Sequence, residues 1–372
     1  MKLGVSLYSY QQAQFFKELS LEDQIREVSE NLPGADGIEI IDEMSLHYPD
    51  PGLAFIERWF GWMARYKTVP VTMDVGMDVL QFRDHVMSHA ECAERLKRDI
   101  RLAKSLGFQN VRVLSTCPFE VMLAALPEAE RLGLKLGKEV HQPMALEGRQ
   151  VSEIIEYAQK TGHDLLGIVP DFGIFGTRPS EVLLAWYVRR GAREAAGDAA
   201  VELAHLLRTG RAPLDFEAVS RQTAGNLRVA FKSFVGTGLC EPELKPAFEA
   251  LKRFADQRVP MASALDYVVV SEAILLSNTS PDTLRQLCPH VVSVHAKFNY
   301  MSECPGWPGE FQDIAIDYEA GIKALRDGGY AGYLNSEYEG QRYFQDRTRA
   351  EMQSEIEQVR RHQGMLRRLI AP

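Results

Sequence analysis

Four short stretches in the second half of the chain decide its fold: LKLGKEVHQP (134–143), DLLGIVPDFG (164–173), HVVSVHAKF (290–298) and YAGYLNSEYEG (330–340). Each is a short apolar or alternating run of the kind that forms a β-strand. Amphipathic helical patterns lie between the runs, and such alternation is typical of βαβ units in a parallel sheet. The last residues of these runs include Glu139, Asp171, His295 and Glu337, all of them residue types that bind metal ions.

The first half of the chain repeats the same pattern. In total, the sequence predicts eight strands, at 3–9, 37–41, 69–75, 110–115, 134–141, 165–171, 291–297 and 332–337. Eight βα units predict an α/β protein with a (β/α)8 TIM barrel, in which the active site lies at the carboxyl ends of the strands. The four metal-ligand types would therefore meet at one mouth of the barrel.

One interval breaks the regular spacing. The segment between Asp171 and His295 is roughly 90 residues longer than an ordinary βα unit. We interpret the excess as a mainly helical insertion at 179–270, including a helix at 216–223, within a single domain that spans 1–372. Because the insertion starts at the mouth, we expect it to cap the site or to form a subunit contact.

Composition narrows the classes of function. The 372 residues include 42 Lys and Arg against 51 Asp and Glu, for a net charge of -9, so nucleic acid and anionic membranes are unfavourable partners. No apolar segment approaches the ~20 residues of a membrane span, and no signal peptide is recognisable, so the expected location is cytoplasmic. Five widely spaced cysteines without a C-x-x-C pair predict neither a disulfide framework nor a thiolate zinc site.

The alternation of side chains in a strand predicts which residues share a face. In the fifth strand Glu139 and His141 point the same way. Two Glu, one Asp and one His form an oxygen-rich ligand set that suits Mn²⁺, or alternatively Mg²⁺ or Co²⁺. Without a cation these carboxylates would repel and desolvate one another, and at least one pKa would rise. We therefore predict a metal site formed by Glu139, Asp171, His295 and Glu337.

Several neighbouring residues are candidates for contact with substrate. Lys297 shares a face with His295 and is expected to contact a substrate oxygen or to balance the acidic cluster. Asn335, Glu339 and Glu39, the last in the run GIEII (37–41), are further candidates for substrate binding. For Arg112 in the fourth strand, a salt bridge between barrel strands is the preferred interpretation.

These strand ends, together with the tail IDYEAGIKALRDGGYAGYLNSEYE (316–339), resemble the xylose isomerase-like superfamily of sugar phosphate isomerases and epimerases. The chain departs from the compact epimerases in its insertion, and in DFGIFG (171–176), where those relatives commonly have a His near the Asp. It is more similar to the catalytic α subunit of bacterial C-glycoside deglycosidases, which are of similar length and carry a His two residues after the strand-five Glu, here His141.

The narrower resemblance implies Mn²⁺ as cofactor, a small β-rich β subunit as partner, and a 3-oxo-glucosyl C-glycoside that loses its aglycone by elimination. His141 would then be the general base, a common role for histidine at neutral pH. As in ketose epimerases, Glu139 and Glu337 would instead be the catalytic acid and base of a sugar isomerase or 3-epimerase. A non-catalytic sugar-binding subunit is the third alternative.

Overall fold

The structure, a computed structural model, describes residues 1–211 and 224–371. Its centre is a barrel of eight parallel strands: β1 (Lys2–Ser6), β2 (Ala35–Ile41), β3 (Val69–Val75), β4 (Asn110–Val113), β5 (Lys135–Val140), β6 (Leu166–Pro170), β7 (Val294–Phe298) and β8 (Tyr333–Tyr338). The hydrogen-bonded order is β6-β5-β4-β3-β2-β1-β8-β7. Single bridges join Ile168 to Val291 and Asp171 to His295, so β6 meets β7 and the barrel nearly closes. The predicted TIM barrel is confirmed.

The seventh strand begins three residues later than the sequence pattern indicates. Residues 291–293 lead into β7 and pack into the barrel, where Ser293 Oγ lies 3.2 Å from Thr72 Oγ1. His295 is therefore the second residue of β7 and pairs with Asn335, while Lys297 pairs with Glu337. The strand predicted at 291–297 is therefore shifted toward the carboxyl end, and the His295 imidazole lies deeper in the barrel than the Lys297 side chain.

Helices cover the outside of the barrel and form the insertion. They are α1 (Gln11–Phe15), α2 (Leu21–Asn31), α3 (Asp42–Ser45), α4 (Leu53–Tyr66), α5 (His89–Ser105), α6 (Phe119–Leu132), α7 (Arg149–Thr161), α8 (Glu181–Arg189), α9 (Glu194–Arg208), α10 (Ala224–Thr237), α11 (Lys245–Arg258), α12 (Ala264–Val270), α13 (Pro281–Leu287), α14 (Tyr318–Asp327) and α15 (Glu355–Ile370). In α2 the Ser20 hydroxyl accepts the Asp23 N–H, and the apolar face buries Ile25 and Val28. No helix in the described ranges is long and apolar enough to cross a bilayer.

The insertion between β6 and β7 has an apolar core of its own. Helices α8 to α12 surround Phe231, whose ring centroid lies 5.4 Å from that of Phe248, and the buried cluster extends to Leu276. Arg189 of α8 forms an ion pair with Asp346 at 3.0 Å, which connects the insertion with the loop after β8. The helix predicted at 216–223 lies outside the described residues.

The C-terminal helix is attached to the barrel by a buried histidine. Tyr318 donates its hydroxyl proton to the Lys297 carbonyl at 2.5 Å, so it accepts from His362 Nε2, which is 2.8 Å away. His362 Nδ1 then accepts from the Ser336 hydroxyl at 2.7 Å, and the ring stacks on Phe298 at 4.0 Å. Burial lowers the pKa of His362 well below its usual value, so the imidazole is neutral in the folded protein.

This histidine makes the free energy of unfolding depend on pH. A histidine in the unfolded chain titrates near ~6.5, so below that pH the unfolded state binds one proton more than the folded state. Stability contributed by the neutral imidazole is present above that pH and falls by about 1.4 kcal/mol per pH unit below it. We expect His362→Gln to lack this loss when denaturant unfolding is compared at about pH 7.5 and about pH 5.5.

The difference in the free energy of unfolding between the wild type and His362→Gln gives the contribution of the imidazole alone. Burial raises the pKa of Asp42 and of Glu355 to about 7, which gives a pH dependence of opposite sign in both proteins. Parallel stability curves for the two proteins across this pH range would contradict the assignment.

Candidate metal centre

Four side chains converge where the last four strands reach the mouth. Glu139 belongs to β5, Asp171 follows β6, His295 belongs to β7 and Glu337 to β8. One ligand atom from each lies within 4.8 Å of the other three, and all four residues are buried. The structure therefore brings the four predicted ligand types together in one cluster.

The detailed geometry leaves ligand atoms available. His295 Nδ1 lies 3.2 Å from Glu139 Oε1 and 3.3 Å from Glu337 Oε2. Asp171 Oδ1 accepts the Gly173 N–H at 2.6 Å, while its Oδ2 is buried without a hydrogen bond to any described residue. A Cβ on Gly173 would lie 2.8 Å from Asp171 Oδ1, so the close approach that orients this carboxylate requires glycine.

The electrostatics of the cluster suit a divalent cation. Burial raises the pKa of Asp171 to about 6, and the neighbouring Glu337 and Glu139 carboxylates add to the rise against the opposing effect of Lys297. Burial alone would also raise the pKa of Glu139, but Arg112 and His295 outweigh it and hold that pKa below its usual range. Three buried carboxylates with one orphaned oxygen match the oxygen-rich surroundings that a hard divalent cation prefers.

A lower layer of polar side chains supports His295 from inside the barrel. His295 Nε2 lies 3.2 Å from Glu39 Oε1 and 3.7 Å from Asp74 Oδ1. The other ring nitrogen, Nδ1, is the one that faces the cluster. Asn335 donates to Glu39 Oε2 at 2.7 Å, and Arg112 Nε lies 3.1 Å from Asp74 Oδ1. A proton on Nε2 would leave the Nδ1 lone pair free for a metal, which is how an imidazole ligand is commonly oriented. The expected salt bridge of Arg112 is confirmed.

The same layer contains two of the residues that we expect to bind substrate. Glu39 and Asn335 are both 0% exposed and lie beneath His295 rather than in the cavity at the mouth. A Cβ on Gly4 would lie 2.2 Å from Asn335 Oδ1, which shows how closely the barrel interior is packed there. The structure therefore brings these residues to the imidazole, and their contact with a substrate stays a prediction.

Above the cluster, His141 and Lys297 line a cavity of about 430 Å³. Lys297 Nζ lies 2.5 Å from His141 Nε2, 2.5 Å from Glu339 Oε2 and 3.6 Å from Asp171 Oδ2. His141 Nδ1 lies 2.5 Å from the carbonyl oxygen of Gln142. Because a carbonyl only accepts, Nδ1 carries the proton and Nε2 is an acceptor that faces the cavity.

The other wall of the cavity comes from the insertion and the loop after β8, and sequence reasoning did not identify its residues. They are Arg178, Leu183, Trp186, Tyr187, Arg228, Glu272, Arg342 and Tyr343. The sequence predicts that an insertion at 179–270 caps the site, but no periodic pattern in the sequence distinguishes the side chains that line the cavity from those in the core of the insertion. Asp74 was also missed, although its place near the end of β3 could have identified it.

Comparison with known proteins gives the family context. No family model matches the sequence. The "3'-dehydrocarminate deglycosidase alpha subunit" of a Microbacterium species is 26% identical over 341 residues, which cover 91% of this chain and 88% of that protein. A "C-glycoside deglycosidase alpha subunit" of Arthrobacter globiformis is 28% identical over 340 residues, and one of Microbacterium trichothecenolyticum is 27% identical over 344. These cover 91% of this chain and 83% of each relative.

Solved structures agree on the fold. L-ribulose 3-epimerase superposes with a TM-score of 0.52 at 13% identity, covering 100% of this chain and 95% of the other. D-psicose 3-epimerase in the presence of D-fructose superposes with a TM-score of 0.50 at 13% identity, with 100% of both chains covered. The chain therefore has the xylose isomerase-like TIM-barrel fold of sugar isomerases and epimerases and is a distant homologue of proteins named C-glycoside deglycosidase alpha subunit.

Proposed function

We propose that the protein is the catalytic subunit of a metal-dependent C-glycoside deglycosidase, which removes a proton next to a sugar carbonyl and releases the aglycone. The observation that carries the proposal is the acceptor nitrogen of His141, which faces the cavity beside the cluster of four ligand types. The names of the relatives, whose similarity spans 91% of the chain, support the same activity.

The four converging residues Glu139, Asp171, His295 and Glu337 would hold the cation. Their hard donor set favours Mn²⁺, with Mg²⁺ or Co²⁺ as alternatives. When bound, such a cation would supply a Lewis acid for the oxygen of a sugar carbonyl. Glu39 and Asn335 would keep the His295 ring in the orientation that this binding requires.

The protein groups then supply the proton transfer. His141 Nε2 takes the proton from the carbon that lies between the sugar carbonyl and the anomeric carbon. The electron pair left behind forms a double bond to the anomeric carbon, the bond from that carbon to the aglycone breaks, and the aglycone carbon takes up a proton. The hydrogen bond from His141 Nδ1–H to the Gln142 carbonyl keeps Nε2 directed at the substrate throughout.

Lys297 positions the base and offers donors to the substrate. Burial alone would lower the pKa of its ammonium group, but the Asp171 and Glu339 carboxylates outweigh burial and raise that pKa, so Lys297 stays charged. Glu339 is held in turn by an ion pair with Arg342. A substrate oxygen that enters the cavity would accept from Lys297 and free His141 Nε2 for the proton.

We also propose a partner subunit. The relatives are named alpha subunits, and that designation supports a second, small β-rich subunit in a complex with this chain. The substrate would be a sugar or glycoside that reaches the cavity between the barrel and the insertion. An isomerase or 3-epimerase, by contrast, would convert free ketoses as the isolated chain.

Metal binding is the first test. We expect the purified wild-type protein to hold about one equivalent of Mn²⁺ by elemental analysis, and we expect Glu139→Gln and His295→Ala to lose it because each removes a ligand. Glu339→Gln is the matched control, since Glu339 is also a buried glutamate at the mouth but lies outside the four-residue cluster.

A thermal melt provides a readout that does not depend on turnover. Added Mn²⁺ should raise the melting temperature of the wild type and of Glu339→Gln, but not that of the two ligand variants. A wild-type protein that stays free of metal after incubation with Mn²⁺ would remove the basis of the proposed chemistry and favour a non-catalytic sugar-binding role.

The second test concerns the base. With a 3-oxo C-glucoside of a phenolic aglycone, His141→Gln should release aglycone about 10² to 10⁴ times more slowly than the wild type, because glutamine cannot take up the proton. Metal content should be unchanged in this variant. The control His205→Gln changes an exposed histidine on α9 and should retain full activity.

Aglycone release at the wild-type rate by His141→Gln would exclude His141 as the base. Conversion of free ketoses, with no release of aglycone even in the presence of a partner subunit, would favour the epimerase alternative and the acid–base pair Glu139 and Glu337.

A further inference from the structure

Basic side chains outnumber acidic ones in the lining of the cavity above the four-residue cluster. Among the residues that the structure describes, this lining includes the basic Arg178, Arg228, Lys297 and Arg342 and the acidic Glu272 and Glu339. The chain as a whole has a net charge of -9, so this local balance is the reverse of the average. A cavity of this composition favours an anionic ligand.

Arg178 differs from the other three cations. Arg228 pairs with Glu272 at 2.5 Å, and Lys297 and Arg342 share Glu339. Within 1–211 and 224–371, Arg178 forms no ion pair, and its Nε is buried without a hydrogen bond. A buried guanidinium N–H without an acceptor is unfavourable until a ligand supplies one.

The backbone holds Arg178 at the boundary between barrel and insertion. The preceding Thr177 N–H donates to the Ala315 carbonyl at 2.7 Å, and Gly176 forms an antiparallel bridge with Ile316. Two residues later, Ser180 caps α8 through the Leu183 N–H. The guanidinium is therefore presented from a segment that is fixed on both sides, as a binding residue requires.

The apolar part of the cavity lining indicates what kind of anion fits. The insertion wall contributes Leu183, Trp186, Leu275 and Leu276 to the cavity. The Trp186 ring lies 4.9 Å from that of Tyr187 and 6.2 Å from that of Tyr343, measured between centroids. An apolar, aromatic wall suits a flat hydrocarbon body and gives a sugar phosphate few groups to contact.

We propose that Arg178 binds the ionised carboxylate of an aromatic aglycone, while the sugar lies over His141 and Lys297. The inference rests on the proposed function and extends it, because it names glycosides of aromatic acids as the preferred substrates. The planar guanidinium can donate two parallel hydrogen bonds to a carboxylate, which a neutral substituent cannot accept in the same way.

Binding of two matched probes to the Mn²⁺-loaded protein tests the proposal. We expect 4-hydroxybenzoate to bind roughly tenfold or more tightly than neutral 4-hydroxybenzyl alcohol by calorimetry. Arg178→Gln should abolish this preference, and Arg178→Lys should retain part of it because the charge remains. Arg190→Gln is the charge-matched control: Arg190 follows α8, is exposed and packs over the Trp186 ring outside the cavity lining.

Each outcome decides the matter. Equal affinity of the two probes, or the same loss in Arg190→Gln as in Arg178→Gln, would overturn the role of Arg178. Tighter binding of glucose 6-phosphate than of 4-hydroxybenzoate would overturn the aromatic assignment. Failure of the proposed function is distinguishable, because it would leave Arg178-dependent binding intact while no 3-oxo C-glucoside is cleaved.

Discussion

The burial of three carboxylates and one imidazole at the mouth of the barrel is the constraint on which the rest of the structure depends. Taking such charges out of water is costly unless other charges and hydrogen bonds compensate. The protein compensates from two sides, with Arg112 below Glu139 and Lys297 above Asp171. One oxygen of Asp171 accepts no hydrogen bond from the described residues and has only the Lys297 ammonium group at 3.6 Å, and a divalent cation would complete the compensation.

The layers of side chains below and above the four-residue cluster have different roles. The lower layer, with Glu39 and Asn335, is buried and contacts the side of His295 that faces away from the cluster. The upper layer, with His141 and Lys297, opens into the cavity and can contact a substrate. The proposed proton removal would use both layers, because the lower layer orients a ligand of the cation that would stabilise the developing charge and the upper layer holds the base beside it. The insertion adds the outer wall, where an aglycone would lie.

Much of this arrangement follows from the sequence, and the rest depends on tertiary contacts. Period-two alternation and strand-end position identify the cluster of ligand types, because in a parallel barrel these features determine which side chains meet at the mouth. The depth of His295 could not be predicted, since it depends on how residues 291–293 pack before β7 pairs with β8. The same packing places Glu39 and Asn335 beneath the imidazole. Arg178 had no sequence signal, because what distinguishes it is an Nε–H that finds no acceptor among the described residues once the chain is folded.

The metal site is tested most directly by anomalous diffraction at the manganese absorption edge from crystals grown with Mn²⁺. We expect a single strong peak among Glu139, Asp171, His295 and Glu337, about 2.0 to 2.3 Å from one atom of each. A map without a peak there, or with the peak below the imidazole between Glu39 and Asp74, would contradict this expectation.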